Sequence, residues 1–181
     1  MTIVTLMGPP LVGKTPLLRA IAVTFGGTLQ EGTPADEGSA VASSFLSHVR
    51  ADFGHGEQVV QTLAGTPRDL HEWTALIAES TGLVAFLDPA PARAAESRDH
   101  LGHLLRFLPD GCSGIVILGN TERVGREAAW RFRDAVLAGT PLEEWPCFAH
   151  RANTPDEWRA RALLAISPSK VIARAVSLHY R

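Results

Sequence analysis

The sequence has no apolar run of membrane-spanning length, no large excess of either charge and only two cysteines. Without such an apolar run, we expect no transmembrane segment. Because the chain enters a strand-like run directly, with no secretion signal before it, we expect a cytoplasmic protein. The net charge of −2 does not indicate an extended basic surface that would bind nucleic acid. Nucleic acid is therefore not an expected partner. Cys112 and Cys147 lack metal-ligand spacing and are expected to be buried thiols rather than a disulfide.

What the chain does contain is typical of a globular protein. Hydrophobic residues make up 45% of its 181 residues and charged residues 20%. This length is sufficient for a substantial core in one unit. We therefore predict a single domain spanning residues 1–181.

The most informative stretch runs from Gly8 to Thr15 and fits G-x-x-x-x-G-K-[ST], the pattern of a phosphate-binding P-loop. A strand-like run precedes it and a helical pattern follows, which is the context that the motif requires. Its glycines let the backbone wrap around a phosphate, Lys14 would reach the β- and γ-phosphates, and the Thr15 hydroxyl would bind Mg²⁺. A glycine-rich turn that binds nothing is the alternative. The predicted cradle consists of Gly8, Pro9, Pro10, Leu11, Val12, Gly13, Lys14, Thr15 and Pro16.

Strand-like and helical segments alternate along the rest of the chain. Residues 28–44 are predicted as a long exposed loop and residues 48–53 as an edge strand. Apolar runs at 83–88 and 114–118 predict strands buried on both faces of a sheet. The pattern predicts a three-layer α/β fold with a mostly parallel central sheet, one antiparallel edge strand, and the ligand at the carboxyl ends of the strands. The other predicted elements are strands at 58–63 and 147–149 and helices at 70–80, 101–108, 128–137 and from residue 154 onwards.

Four features in a fixed order carry a resemblance to a known family: the P-loop, the long polar loop, a hairpin followed by Gly65, and Asn120 after a later strand. With them, the chain resembles the Ras-like small GTPases over nearly its whole length. The resemblance implies a P-loop NTPase fold that binds GTP or GDP with Mg²⁺ and acts as a molecular switch. It also implies that the backbone N–H of Gly65 contacts the γ-phosphate and that Asn120 belongs to the base-reading motif.

One residue of the switch II motif indicates a particular branch of that family. Thr62 stands where the family's Asp-x-x-Gly-Gln motif has its Asp. A Thr followed by x-x-Gly resembles the bacterial MglA type of small GTPase, whose motif runs Thr-Val-Pro-Gly-Gln. This resemblance implies a roadblock-type activating protein and an effector as partners.

The residues after Thr62 depart from the family at the position that matters for hydrolysis. Thr66 occupies the place of the glutamine that orients the attacking water, and its short hydroxyl cannot span the same gap. We therefore expect slow hydrolysis, with Lys14, Gly65 and Thr66 as the catalytic set. Arg68 and His71 follow and could position water instead, although an exposed helix face is the preferred interpretation for both.

The base-reading motif Asn-Lys-x-Asp appears here as Asn120-Thr121-Glu122-Arg123. Arg123 replaces the carboxylate that would accept two hydrogen bonds from guanine, and a guanidinium only donates. Guanine preference is therefore doubtful, and Glu122 could take over only if the loop is offset by one residue.

The predicted Mg²⁺ ligands are the hydroxyl groups of Thr15 and Thr33. Ser39 is a second candidate in the same loop as Thr33. An equally open alternative is that neither residue binds Mg²⁺, because any turn of this composition contains hydroxyl groups. Asp88 closes an apolar strand and could be the metal carboxylate of a P-loop ATPase, but a turn-forming role is the preferred interpretation.

Three other side chains have both a structural and a functional interpretation. His100 and His103 are three residues apart on one predicted helix, yet no further ligand accompanies them in sequence and a metal site is not expected. Trp73 lies just beyond switch II, where it would anchor a partner if exposed; packing in the core is the preferred interpretation.

The leading hypothesis is a nucleotide-dependent switch that hydrolyses GTP slowly with the help of an activating protein. A pseudo-GTPase, an interaction module that has lost turnover or guanine specificity, is the first alternative. The second is a Mg²⁺-ATP protein of another P-loop branch that uses Asp88 on the metal.

Overall fold

The computed structural model describes residues 2–31, 46–52, 57–63 and 70–149. Strands and helices alternate through most of this part of the chain, as the sequence pattern predicts. The strands are β1 (Thr2–Met7), β2 (Thr28–Gln30), β3 (Leu46–Asp52), β4 (Glu57–Leu63), β5 (Gly82–Leu87), β6 (Ser113–Leu118) and β7 (Cys147–Ala149). The helices are α1 (Lys14–Phe25), α2 (Leu70–Glu79), α3 (Ala94–Phe107), α4 (Thr121–Val124) and α5 (Arg126–Leu137).

The seven strands form one sheet in the order β2-β3-β4-β1-β5-β6-β7. Strands β4, β1, β5, β6 and β7 pair in parallel, whereas β3 runs antiparallel to both β4 and β2. The predicted α/β fold with a mostly parallel sheet is confirmed. The strand predicted at the edge, β3, is second from the edge, because β2 pairs along its outer side.

The side chains of the central strands alternate between two hydrophobic clusters, one on each face of the sheet. In β5, Val84 and Phe86 pack with α1 on one face, while Leu83, Ala85 and Leu87 pack with α2, α3 and α5 on the other. This two-sided burial explains why β5 and β6 are apolar throughout. It also gives the predicted three layers, with helices on both faces of the sheet.

Two short elements were not predicted. Residues 28–30, expected to be loop, form β2 because the turn at Gly26, with φ +63°, directs the chain back along β3. Helix α4 is a single turn directly after Asn120. The remainder of the predicted loop from residue 32 to 44 and the predicted C-terminal helix lie outside the described residues.

Trp73 packs in the core, as preferred from the sequence, with none of its surface exposed. Both cysteines are free and half-buried, and desolvation raises the pKa of the Cys147 thiol to about 12.

Within residues 2–31, 46–52, 57–63 and 70–149, no helix has the length and apolar character needed to cross a bilayer. The same ranges contain no cluster of three or more His, Cys, Asp or Glu side chains arranged to hold a metal ion.

Candidate functional site

The P-loop connects β1 to α1 at the carboxyl end of the parallel strands, where the sequence places it. Its turn depends on positive φ angles at Gly8 (+146°), Leu11 (+61°) and Gly13 (+103°). A Cβ atom at Gly8 would lie 2.5 Å from the carbonyl oxygen of Phe86, so β5 approaches this loop too closely for any side chain there. The loop is therefore shaped by the neighbouring strand as well as by its own glycines.

The prolines of the loop limit which backbone groups are available to an anion. Pro9 and Pro10 have no N–H, and neither does Pro16 in the first turn of α1. The amide of Leu17 already donates to the carbonyl of Gly13. The N–H groups suited to cradle a phosphate are consequently those of residues 11–15, at the positive end of the α1 dipole.

Lys14 folds back over the beginning of the same loop. Its ammonium donates to the carbonyl oxygens of Gly8 and Pro9, both at 2.6 Å, and the residue is only 7% exposed. Desolvation lowers its pKa from 10.5 to about 8; Glu96 opposes this shift and Arg93 adds to it. Among the described residues, the hydrogen-bond partners of this buried cation are carbonyls, which makes it a strong attractor for phosphate oxygens.

Binding of a phosphate chain should therefore depend on pH in a defined direction. A phosphate stabilises the charged form of Lys14, so the pKa rises on binding and the protein takes up a proton near and above pH 8. We expect the affinity for a nucleoside diphosphate to be nearly constant from pH 7 to 7.5 and to fall by up to about tenfold per pH unit above pH 8. Calorimetric titrations at pH 7, 8 and 9, in buffers of different ionisation enthalpy, measure both quantities. A constant affinity across this range would contradict the assignment.

Two charged residues at the start of α3 adjoin the P-loop. Arg93 donates from Nη1 to the carbonyl oxygen of Pro10 at 3.0 Å and forms an ion pair with Glu96 at 3.3 Å. Neither residue was predicted from the sequence. A charged side chain soon after a buried strand, at the carboxyl end of the sheet, was the signal that would have found them.

Asp88 and Asn120 lie at the ends of neighbouring strands and bind each other. The Asn120 amide donates to Oδ2 of Asp88 at 2.6 Å, and the N–H of Ala90 donates to Oδ1 at 2.9 Å. Asp88 is fully buried. Because both carboxylate oxygens have protein donors, these contacts favour the turn-forming role of Asp88 over that of a metal ligand.

The remaining base-motif residues lie on α4. Thr121 is buried, whereas Glu122 and Arg123 are exposed. Asn120 itself is in the left-handed region, with φ +51°, which turns the chain from β6 into this helix. The structure thus brings Asn120 to the carboxyl end of the parallel strands, where the P-loop also lies. The side chains of Glu122 and Arg123 are exposed to solvent.

Several predicted site residues have other positions or lie outside the described ranges. Thr33, Gly65, Thr66 and Arg68 lie outside them, as does the side chain of His71. Thr62 is buried and donates to the carbonyl of Leu6 in β1, so its hydroxyl supports the sheet. Thr15 is half-buried in the first turn of α1, where the motif places it.

His100 lies behind the P-loop on α3. Its Nδ1 donates to the carbonyl of Glu96 at 2.9 Å, and desolvation lowers its pKa. Its Nε2 is buried, with no hydrogen-bond partner in the described part of the chain. His103 instead pairs with Thr74, so the two histidines do not converge.

The sheet order and the turn after β1 together define the fold: a three-layer α/β fold with a mostly parallel sheet and a glycine-rich loop between its first strand and first helix. The chain matches no protein-family model and no curated protein sequence. Among solved structures, it is similar to an ADP-ribosylation factor-like GTP-binding protein, the small COPII coat GTPase SAR1 from Encephalitozoon cuniculi in complex with GDP. That likeness has 16% identity and a TM-score of 0.59, and covers 97% of this chain and 77% of that chain.

A bacterial selenocysteine-specific elongation factor, EF-Sec, is a second similar structure, with 19% identity and a TM-score of 0.58. This likeness covers 82% of the present chain and 25% of the elongation factor. At such identities the similarity establishes the fold alone, which this chain shares with these two GTPase-fold structures.

Proposed function

We propose that this chain is a nucleotide-dependent molecular switch that binds GTP and GDP with Mg²⁺ in one domain spanning residues 1–181. The observation that carries the proposal is the P-loop geometry: a turn with positive φ at Gly8, Leu11 and Gly13 that leads into α1, and a buried Lys14 ammonium over the same loop. The Ras-like fold and the GDP complex of one structural neighbour support it. The backbone donors would hold the phosphate chain, and Lys14 would neutralise the charge of the β- and γ-phosphates.

Magnesium fits the residues present at this site. Thr15 offers a hard oxygen ligand from the first turn of α1, and the ion prefers one or two protein oxygens together with phosphate oxygens. Thr33 is proposed as the second ligand. When bound, the ion would neutralise charge between the β- and γ-phosphates.

Hydrolysis is proposed to be slow and to depend on a partner. Thr66 replaces the water-orienting glutamine, and Gly65 would contribute its N–H to the γ-phosphate. The Thr62-x-x-Gly65 pattern supports an MglA-like assignment, and with it a roadblock-type activating protein and a separate effector. We expect an intrinsic rate on the order of 10⁻³ s⁻¹ or slower.

A pseudo-GTPase is the second candidate, and the base site favours it over an ATP-dependent enzyme. Arg123 is exposed where a carboxylate would recognise guanine, and one N–H of the Asn120 amide is committed to Asp88. The same contact argues against the Mg²⁺-ATP alternative, because it occupies Asp88 with a protein donor.

Calorimetric titration with GTP, GDP, ATP and ADP in the presence of Mg²⁺ tests the proposal. We expect GTP and GDP to bind and the adenine nucleotides to bind at least about tenfold more weakly, a difference of roughly 1.4 kcal/mol. Binding of ATP alone, or of no nucleotide, would refute the guanine switch. Phosphate release under single-turnover conditions then separates the two candidates, since tight binding without release, even with a partner present, identifies the pseudo-GTPase.

A further inference from the structure

Arg93 is fixed at the beginning of α3 by contacts on both its backbone and its side chain. Its N–H donates to the carbonyl of Ala90 at 2.8 Å, and its carbonyl accepts from the N–H of Ser97 at 2.9 Å. The guanidinium reaches the P-loop through the bond from Nη1 to Pro10. The side chain is 27% exposed, so it is partly open to solvent at its position beside the loop.

The position of Lys14 shows which end of the P-loop faces the terminal phosphate. The lysine of this motif contacts the β- and γ-phosphates, and its ammonium lies against the carbonyls of Gly8 and Pro9. Pro10 is the next residue along the chain, and its carbonyl binds Arg93. Consecutive carbonyls of one turn therefore hold two cations, and both cations are at the end of the loop where the outer phosphates belong.

This end of the loop has a shortage of donors that Arg93 can meet. Pro9 and Pro10 provide no N–H groups there. A guanidinium has five N–H groups in a planar fork that matches phosphate oxygens. Of the three guanidinium nitrogens of Arg93, only Nη1 makes hydrogen bonds within residues 2–31, 46–52, 57–63 and 70–149, which leaves Nε and Nη2 for a ligand.

From this arrangement we propose that Arg93 binds the terminal phosphate of a nucleoside triphosphate and so makes the site distinguish triphosphate from diphosphate. The inference rests on the phosphate site of the proposed function but not on its base preference. Glu96 balances the guanidinium charge before the ligand arrives. Its carboxylate contacts Nη1 and leaves the Nε and Nη2 side open, but its negative charge opposes the approach of a phosphate.

The test compares the affinities of a non-hydrolysable triphosphate and its matching diphosphate, for guanosine and for adenosine, with wild type and Arg93→Ala. We expect Arg93→Ala to weaken triphosphate binding by about 10- to 100-fold and diphosphate binding by less than about threefold, because one charge-assisted contact is lost. Glu96→Gln should strengthen triphosphate binding, since it removes a negative charge beside the phosphate site. Arg106→Ala, at the other end of the same helix and exposed, is the matched control and should change neither affinity.

Each other result has a definite meaning. An equal loss for triphosphate and diphosphate would show that Arg93 only holds the loop in shape, and no loss would show that it does not contact the ligand; either overturns the proposal. If adenine nucleotides bind as well as guanine nucleotides, the guanine switch fails while the Arg93 comparison still decides this inference. If wild type binds none of the four ligands, both proposals are overturned.

Discussion

Lys14→Met is expected to weaken the binding of nucleoside di- and triphosphates by at least about 100-fold without lowering the Tm of the ligand-free protein. The loss follows from removing the only charge buried within the P-loop turn between residues 8 and 15, worth about 3 kcal/mol in charge-assisted contacts to phosphate. Methionine has a similar length and no charge, so it fills the same space.

The unchanged stability follows from the pKa of the lysine. Its pKa falls from 10.5 to about 8 on folding, so burial of the charged form opposes folding at pH 7 by up to about 3 kcal/mol, and this cost disappears as the pH rises from 8 to 10.5. The uncharged methionine side chain avoids that cost, although the carbonyls of Gly8 and Pro9 lose their donor. Calorimetric titration and thermal unfolding at pH 7 measure the two effects.

Arg19→Met is the matched control for this substitution. Arg19 lies on the same helix but is exposed and pairs with Glu31, so its loss should leave affinity within about twofold. Retention of wild-type affinity in Lys14→Met would refute the P-loop assignment. A Tm lowered by more than about 5 °C would contradict the view that burial of this charge opposes folding.

Gly8→Ala is expected to destabilise the protein by roughly 3 kcal/mol or more and to disrupt the P-loop. The new Cβ would lie 2.5 Å from the carbonyl oxygen and 2.6 Å from the Cβ of Phe86, and the φ of +146° is unfavourable for any L side chain. The clash is with backbone at the centre of the sheet, which cannot move aside as a flexible side chain would. For a domain of this size we expect Tm to fall by about 6–12 °C.

Gly26→Ala separates the two causes of this effect. Gly26 also has a positive φ, +63°, but no atom in the described part of the chain lies within 4 Å of a Cβ atom placed there. Its substitution should cost only about 1 kcal/mol from backbone strain, a Tm change of about 2–4 °C. Equal effects at Gly8 and Gly26, measured by thermal unfolding, would show that the contact with β5 is unimportant.

The elements that were predictable are those whose pattern is local. Strand β1, the P-loop and α1 follow from a glycine motif between an apolar run and a helical repeat, and β5 and β6 follow from continuous apolar runs. Strand β2 was not predictable in this way. It has three residues, and it exists because β3 provides a partner along its whole length.

The candidate site likewise has features that the local sequence predicts and features that it does not. The sequence by itself determined the P-loop, the place of Lys14 within it, and the departures at Thr62, Thr66 and Arg123, because residue type and spacing are enough to define a phosphate cradle. Only the tertiary structure decided that Lys14 is desolvated and that Asp88 holds Asn120, 32 residues away.

The contact between Arg93 and Pro10, which are 83 positions apart in the sequence, was also decided only by the tertiary structure. The physical reason is that parallel strands bring the loops at their carboxyl ends together whatever their separation along the chain. Burial and charge at those loops then depend on neighbours that no local pattern specifies.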